Sequence, residues 1–398
     1  MRARRTAYGV HLRLEASEVG WNSGTAVLVV RILIRPFIGK VGRVLTRKLD
    51  SLRGRFVGHL EETLDSMAIR PFQLHLELTN ICNALCIFCP YQFQKRPFEV
   101  MSDEVFHLAV SQYHDIGGGS VGLTPIVGDA LVDPAFLERV RYLRSLPRID
   151  RIFVTTNAIA LDRYPTEEVL ESGLTAVYIS TAGFERESYN RIYRSTIRGA
   201  YDRMRDNVTA LVKKNTELGK PATITIGIRT DRPLQDVMKD PDMQPILEHD
   251  PLIDFTWRYQ NGGGLITREL LPAAMKLRPL PVMEEACSRL YDGPIVLPDG
   301  KVLACSCIAA MDALEDLKIG DIHEEMLSRI WRGKRMRDLR DQFQACGKLN
   351  ATCSNCSSYS NLDPYRTGDG RDRARVNRLR GMGQIVFRDR TKGYFSGG

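Results

Sequence analysis

The chain has 398 residues, 43% hydrophobic and 26% charged, with a formal net charge of +8. That length can bury a full core plus a second, smaller unit, and the composition excludes a fibrous or wholly disordered chain. The longest apolar run, residues 25–34, contains Arg31 and is too short to span a bilayer. No secretory leader with a small-residue cleavage site is recognised. The odd count of nine cysteines, several in CxxC-type spacing, suits a reducing cytoplasm better than a disulfide scaffold.

Charge divides the chain. Residues 1–70 carry 13 Lys/Arg against 6 Asp/Glu, residues 357–398 carry 9 against 4, and the body between them is mildly acidic. Residues 1–70 read as a basic arm. Within it Arg31, Arg35, Arg43 and Arg47 fall at multiples of four, so a helix would keep them near one face. Such a helix can lie on a membrane surface or pack on its own domain, and both readings stay open. Nucleic acid is not expected as a partner.

From residue 71 to 279 strand-like and helix-like runs alternate. Strands are expected at 72–78, 120–126, 152–156, 176–180, 223–228 and 253–259, and helices at 103–114, 134–146, 166–172 and 200–218. Repeated βα units imply a parallel sheet, open or curved, with functional residues at the C-terminal strand ends. Six units fit a partial (βα)6 TIM-type barrel. Residues 280–360 form a small cysteine-rich α+β unit, with a hairpin over 294–304 turning at Asp299-Gly300 and an amphipathic helix over 322–343. Residues 361–398 read as a basic tail.

The cysteines fall into two groups. Cys82, Cys86 and Cys89 stand in Thr79-Asn-Ile-Cys-Asn-Ala-Leu-Cys-Ile-Phe-Cys-Pro90, directly after the first strand. Three thiolates can hold three corners of a [4Fe–4S] cube and leave the fourth iron open. A structural zinc site would need a fourth ligand, and no histidine lies near; His75 reads as a packed residue. The second group is Cys287, Cys305, Cys307, Cys346, Cys353 and Cys356. Four thiolates there suit either a closed iron–sulfur cluster or zinc.

The CxxxCxxC signature, with Phe88 before its last cysteine, resembles the radical S-adenosylmethionine (SAM) superfamily over roughly residues 71–360. The resemblance implies that the open iron chelates SAM, which is cleaved by one electron to methionine and a 5′-deoxyadenosyl radical that abstracts a substrate hydrogen. It also implies a flavodoxin- or ferredoxin-type reductant. Gly128 and Asp129 resemble the Gly-Glu of the family's Gly-Gly-Glu-Pro, which binds the SAM amino group; Val127 replaces the first glycine. Thr156-Asn157-Ala158 resembles the family's Thr-Asn-Gly, and Ser180 a serine that contacts the ribose. Arg191 and Arg194 both stand where the family places a carboxylate-binding arginine, and Arg194 is favoured.

The second cysteine group resembles the SPASM/twitch extension of the same superfamily. Its six cysteines fall short of the two-cluster set, so one auxiliary [4Fe–4S] cluster is expected on Cys287, Cys305, Cys353 and Cys356. Cys307 and Cys346 are left over as candidate hydrogen donors, ligands of an incomplete second cluster, or inert core thiols. The polar, glycine-rich loop Tyr259–Ile266, with Gln260 and Asn261, is placed over the barrel mouth, and Arg229 and Arg258 near strand ends suit a carboxylate or phosphate. The expected substrate is a small polar molecule such as a sugar or aminocyclitol. A peptide-modifying maturase and a non-catalytic cluster protein are the alternatives.

Overall fold

The computed structural model describes residues 60–124, 126–305, 314–343, 349–362 and 365, with the backbone alone for 384–386, 388–389 and 393–394. Most of the arm, together with Cys307 and Cys346, lies outside the described residues.

Six parallel strands form the body: β1 (Gln73–Leu76), β2 (Gly119–Leu123), β3 (Ile149–Thr156), β4 (Ala176–Thr181), β5 (Thr223–Ile228) and β6 (Leu252–Phe255). They pair strictly in chain order. An open doubly wound sheet reverses direction at a switch point, whereas right-handed crossovers without a reversal place every helix on one side. That is the partial barrel expected from the sequence. The crossover helices include α1 (Asp103–Ile116), α2 (Phe136–Ser145), α3 (Thr166–Glu171), α4 (Arg186–Tyr193) and α5 (Ala200–Glu217). Local chemistry sets their ends: the Ser102 hydroxyl accepts from the Val105 amide to start α1, and Gly117, at φ +121°, stops it.

The cysteine-rich unit is not a separate body. Its hairpin, Ile295–Val296 and Lys301–Leu303, turns at Asp299-Gly300 as expected, and Ile295–Val296 pairs in parallel with β1, His75 opposite Ile295. Lys318–Asp321 adds a further strand beyond it. The sheet thus runs unbroken from the barrel into the auxiliary unit. This continuity brings Cys305, just after the hairpin, to the end of the sheet where β1 delivers Cys82.

Two expectations are corrected. The helix over 322–343 is two helices, Leu327–Arg332 and Lys334–Asp341, because Gly333 takes an extended conformation (ψ +166°) between them. The strand expected at 253–259 stops at Phe255; Arg258–Tyr259 instead pairs in parallel with Lys276–Leu277. The end of the basic arm packs on the body. Residues 60–69 are helical, Met67 is buried, and the indole of the fully buried Trp331 donates to its carbonyl at 2.9 Å. At the other end, Gln384–Val386 runs antiparallel to β6. No described helix is long and apolar enough to cross a membrane.

Candidate active site

The loop after β1 carries Cys82, Cys86 and Cys89 and is held at several points. The Leu85 and Ile87 amides donate to the Tyr193 and Ile192 carbonyls at the end of α4 (3.1 and 2.9 Å). Gln92 donates to the Ile87 and Cys89 carbonyls, and the Ser195 hydroxyl to the Asn83 carbonyl at 2.6 Å. Phe88 packs edge-on against Tyr193 and Tyr259.

All three thiols face one cavity of about 270 Å³. Burial pushes each of them up, Cys89 to about 11, and the neighbouring sulfurs push Cys82 and Cys86 further. Thiols crowded in this way resist ionising unless a cation takes their charge, which is what iron supplies. Hydrogen-bond donors are in place: the Tyr91 backbone amide reaches the Cys89 sulfur at 3.5 Å and the Asn157 side-chain Nδ2 the Cys82 sulfur at 3.8 Å. Among the described residues no three Cys, His, Asp or Glu side chains converge on a single ion. A cube, in which each thiolate takes its own iron, does not require that. The three soft sulfurs, their burial and their donors fit a cluster.

The same cavity is lined by Gly128, Asp129, Asn157 and Ser180. Gly128 has φ +82°, and a Cβ there would stand 2.2 Å from the Thr79 carbonyl oxygen. Asp129 is 1% exposed and its carboxylate is fully engaged within the chain. It accepts from the Thr156 hydroxyl (2.9 Å), the Asn157 amide (2.8 Å) and the Leu131 amide (3.1 Å). Asp129 therefore ties the ends of β2 and β3 together. Ala158 takes φ +63°, the left-handed conformation that the glycine of Thr-Asn-Gly would adopt freely. Ser180 shares its hydroxyl with Tyr193 (2.8 Å) and accepts from Arg229 (2.9 Å). Arg194 is exposed at φ +46° and does not line the cavity, although its neighbours Tyr193 and Ser195 hold the cysteine loop. Arg191 pairs with Asp231 at 2.5 Å, away from the cavity lining.

Cys305 and Cys356 also line this cavity. Cys287 is buried, and it and Cys353 lie close enough to act electrostatically on Cys305. Burial raises all three of these thiols, Cys353 to about 12. Burial alone would pull Arg289 down, but the charges of Cys305, Asp292, Cys287 and Cys356 hold it above the ordinary arginine range. The four sulfurs, with a buried cation beside them, fit a closed anionic cluster. The loop expected over the mouth is a clasp. Asn261 donates to the Asn355 carbonyl (2.7 Å) and accepts from the Ser357 amide (3.1 Å), so its side chain is structural. Gln260 lines the cavity and accepts from Ser358 at 2.6 Å.

Comparison with known proteins agrees with this geometry. Residues 76–240 match the model of the Radical SAM superfamily, and residues 287–357 match that of SPASM, an iron-sulfur cluster-binding domain. The chain belongs to the radical SAM superfamily. As a radical SAM enzyme with a SPASM domain, it uses SAM and [4Fe–4S] clusters. It is similar to the GTP 3',8-cyclase of Chlorobaculum tepidum, 29% identical over 152 residues, which cover 36% of this chain and 44% of that protein. The probable GTP 3',8-cyclase of Archaeoglobus fulgidus is 28% identical over 122 residues, covering 30% of this chain and 38% of its own. The matches thus span less than half of these relatives. Among solved structures, Streptococcus suis SuiB bound to precursor peptide SuiA shares the radical SAM fold. It is 14% identical with a TM-score of 0.51, over 88% of this chain and 82% of that one. BtrN in complex with AdoMet and 2-DOIA aligns at 17% identity and a TM-score of 0.47, over 74% and 97%.

Gly128→Ala is expected to displace the backbone of this radical SAM site, since the Thr79 carbonyl cannot yield as a flexible side chain would. Because a misplacement near 1 Å can cost roughly 100-fold, SAM cleavage should fall by about that factor while iron content stays near wild type. Parallel assays of 5′-deoxyadenosine and iron check this; unchanged cleavage would contradict it.

Proposed function

We propose that this enzyme abstracts a hydrogen atom from a small polar molecule, such as a sugar or aminocyclitol, giving oxidation or epimerisation. One observation carries the reading: a single cavity is lined by both cysteine groups and clasped by the Gln260–Asn261 loop. A long peptide suits an open groove better than a clasped chamber. The curated relatives are named for a reaction of GTP, itself a small polar molecule.

Cys82, Cys86 and Cys89 would hold the SAM-binding cluster, and Cys287, Cys305, Cys353 and Cys356 the auxiliary one. When bound, the first cluster supplies the electron that cleaves SAM to methionine and a 5′-deoxyadenosyl radical. The Gly128–Asp129 segment would receive the SAM amino group, and Ser180 and Asn157, which line the same cavity, would orient the cofactor; Arg194, expected from the resemblance to bind its carboxylate, lies off the lining and is not assigned that role. Phe88, Tyr193 and Tyr259 keep the chamber apolar beside the cysteines, which limits water near a reactive intermediate. The electron would come from a flavodoxin- or ferredoxin-type protein.

The test is anaerobic 5′-deoxyadenosine formation with a strong reductant, in the presence of either the low-molecular-weight or the peptide fraction of a host cell extract. Stimulation by the small-molecule fraction is expected. Stimulation by the peptide fraction alone would overturn this reading in favour of a peptide-modifying maturase.

A further inference from the structure

Arg229 follows β5 directly, its amide still bonded to the Thr181 carbonyl at 2.8 Å. It is 6% exposed and lines the cavity together with Cys82, Cys86 and Cys89. Its guanidinium lies 5.8 Å from the centre of the Phe88 ring, and 5.6 and 5.8 Å from those of Tyr178 and Tyr259. Phe88 immediately precedes Cys89, so the charge stands against the cysteine loop itself.

Two contacts fix it there. Arg229 donates to the Ser180 hydroxyl (2.9 Å) and to the Tyr178 hydroxyl (3.4 Å), while its Nε is buried with no hydrogen-bond partner. Ser180 shares its hydroxyl with Tyr193, whose carbonyl receives the Leu85 amide of the cysteine loop. Asp254 reaches the guanidinium only through Tyr178, whose hydroxyl donates to it at 2.7 Å. The charge is felt at the sulfurs: burial pushes the Cys86 and Cys89 thiols up, and Arg229 pulls both back. An arginine keeps its charge in a protein. In a buried wall that charge is screened little. A field that favours thiolate over thiol also favours any further negative charge at the same place. One-electron reduction adds such a charge to a cluster held by three thiolates, and the net charge around a cluster is one of the factors that set its potential.

We propose that Arg229 sets the reduction potential of the cluster held by Cys82, Cys86 and Cys89, making that cluster easier to reduce. The electron would come from a flavodoxin- or ferredoxin-type protein, which is oxidised as the cluster is reduced. This role precedes the substrate chemistry and holds whichever molecule the chamber takes.

The test is an anaerobic redox titration of the reconstituted protein without SAM, followed by electron paramagnetic resonance. The signal that SAM perturbs in a parallel sample identifies the first cluster. Arg229→Gln should lower its reduction equilibrium about tenfold, ~59 mV for one electron, the order expected of one partly buried charge. Arg229→Lys keeps the charge and should recover most of the shift. If the glutamine variant loads less iron than wild type, Arg229→Gln/Asp254→Asn, which strands no buried carboxylate, is read in its place and should also fall. The proposal is overturned if the loaded glutamine variant keeps the wild-type potential. An arginine that only ties Ser180 to Tyr178, or that only holds SAM, would give that result. It is also overturned if Arg229→Lys falls as far as Arg229→Gln. The potential is read without substrate or turnover, so failure of the small-substrate reading would leave this role standing.

Discussion

Cys86→Ala is expected to abolish 5′-deoxyadenosine formation while the auxiliary cluster stays in place. Cys86 is the middle ligand of the loop and is buried in the cavity wall. Alanine leaves two thiolates, too few to hold a cube with one open iron. The second cysteine group draws none of its four proposed ligands from this loop. Iron should therefore drop by about half, from roughly eight per chain to roughly four, with cleavage lost altogether. Iron analysis and chromatographic assay of 5′-deoxyadenosine on the same reconstituted sample check this. Cleavage at the wild-type rate would show that the loop does not carry the reactive cluster.

Glu77→Ala is expected to produce the largest loss of stability among single changes near the site. Glu77 is 0% exposed, and Arg96 holds both of its oxygens, at 2.6 and 3.0 Å. The Val127 amide also donates to it at 3.3 Å, so this carboxylate anchors the segment that leads into Gly128. Removing one partner of a buried pair strands the other charge and costs about 3–5 kcal/mol. The double variant Glu77→Ala/Arg96→Leu should recover part of that, because no unpaired charge remains. Urea unfolding of the reconstituted proteins measures both. A single variant within about 0.5 kcal/mol of wild type, the usual effect at a surface position, would mean the pair is not anchoring the loop.

The barrel was legible because its signals are local. Alternating strand and helix runs, with turns between them, located all six strands, and their order fixed the curvature. Helix α4 is not legible because Arg186–Tyr193 is short and rich in polar residues, and its buried Tyr189, Ile192 and Tyr193 form only a narrow stripe. The break at Gly333 is hidden in the sequence because the apolar spacing continues on both sides of it. In the site, spacing marks the cysteines, resemblance to the family's motifs marks Asn157 and Ser180, and its place near a strand end marks Arg229. Arg278 and Arg289 were not legible. Arg278 reaches the cavity through a two-residue ladder, and Arg289 through a short 3-10 turn after Cys287. Asp129 and Asn261 show the converse: polar residues at the right places, whose side chains are spent on holding strands and loops together.

The most direct measurement is iron, sulfide and zinc per chain after anaerobic reconstitution, taken together with SAM cleavage. Two [4Fe–4S] clusters facing one cavity require about eight irons, a matching amount of sulfide, no zinc, and formation of 5′-deoxyadenosine. About four irons with one zinc would make the C-terminal group a structural metal site and contradict the two-cluster cavity.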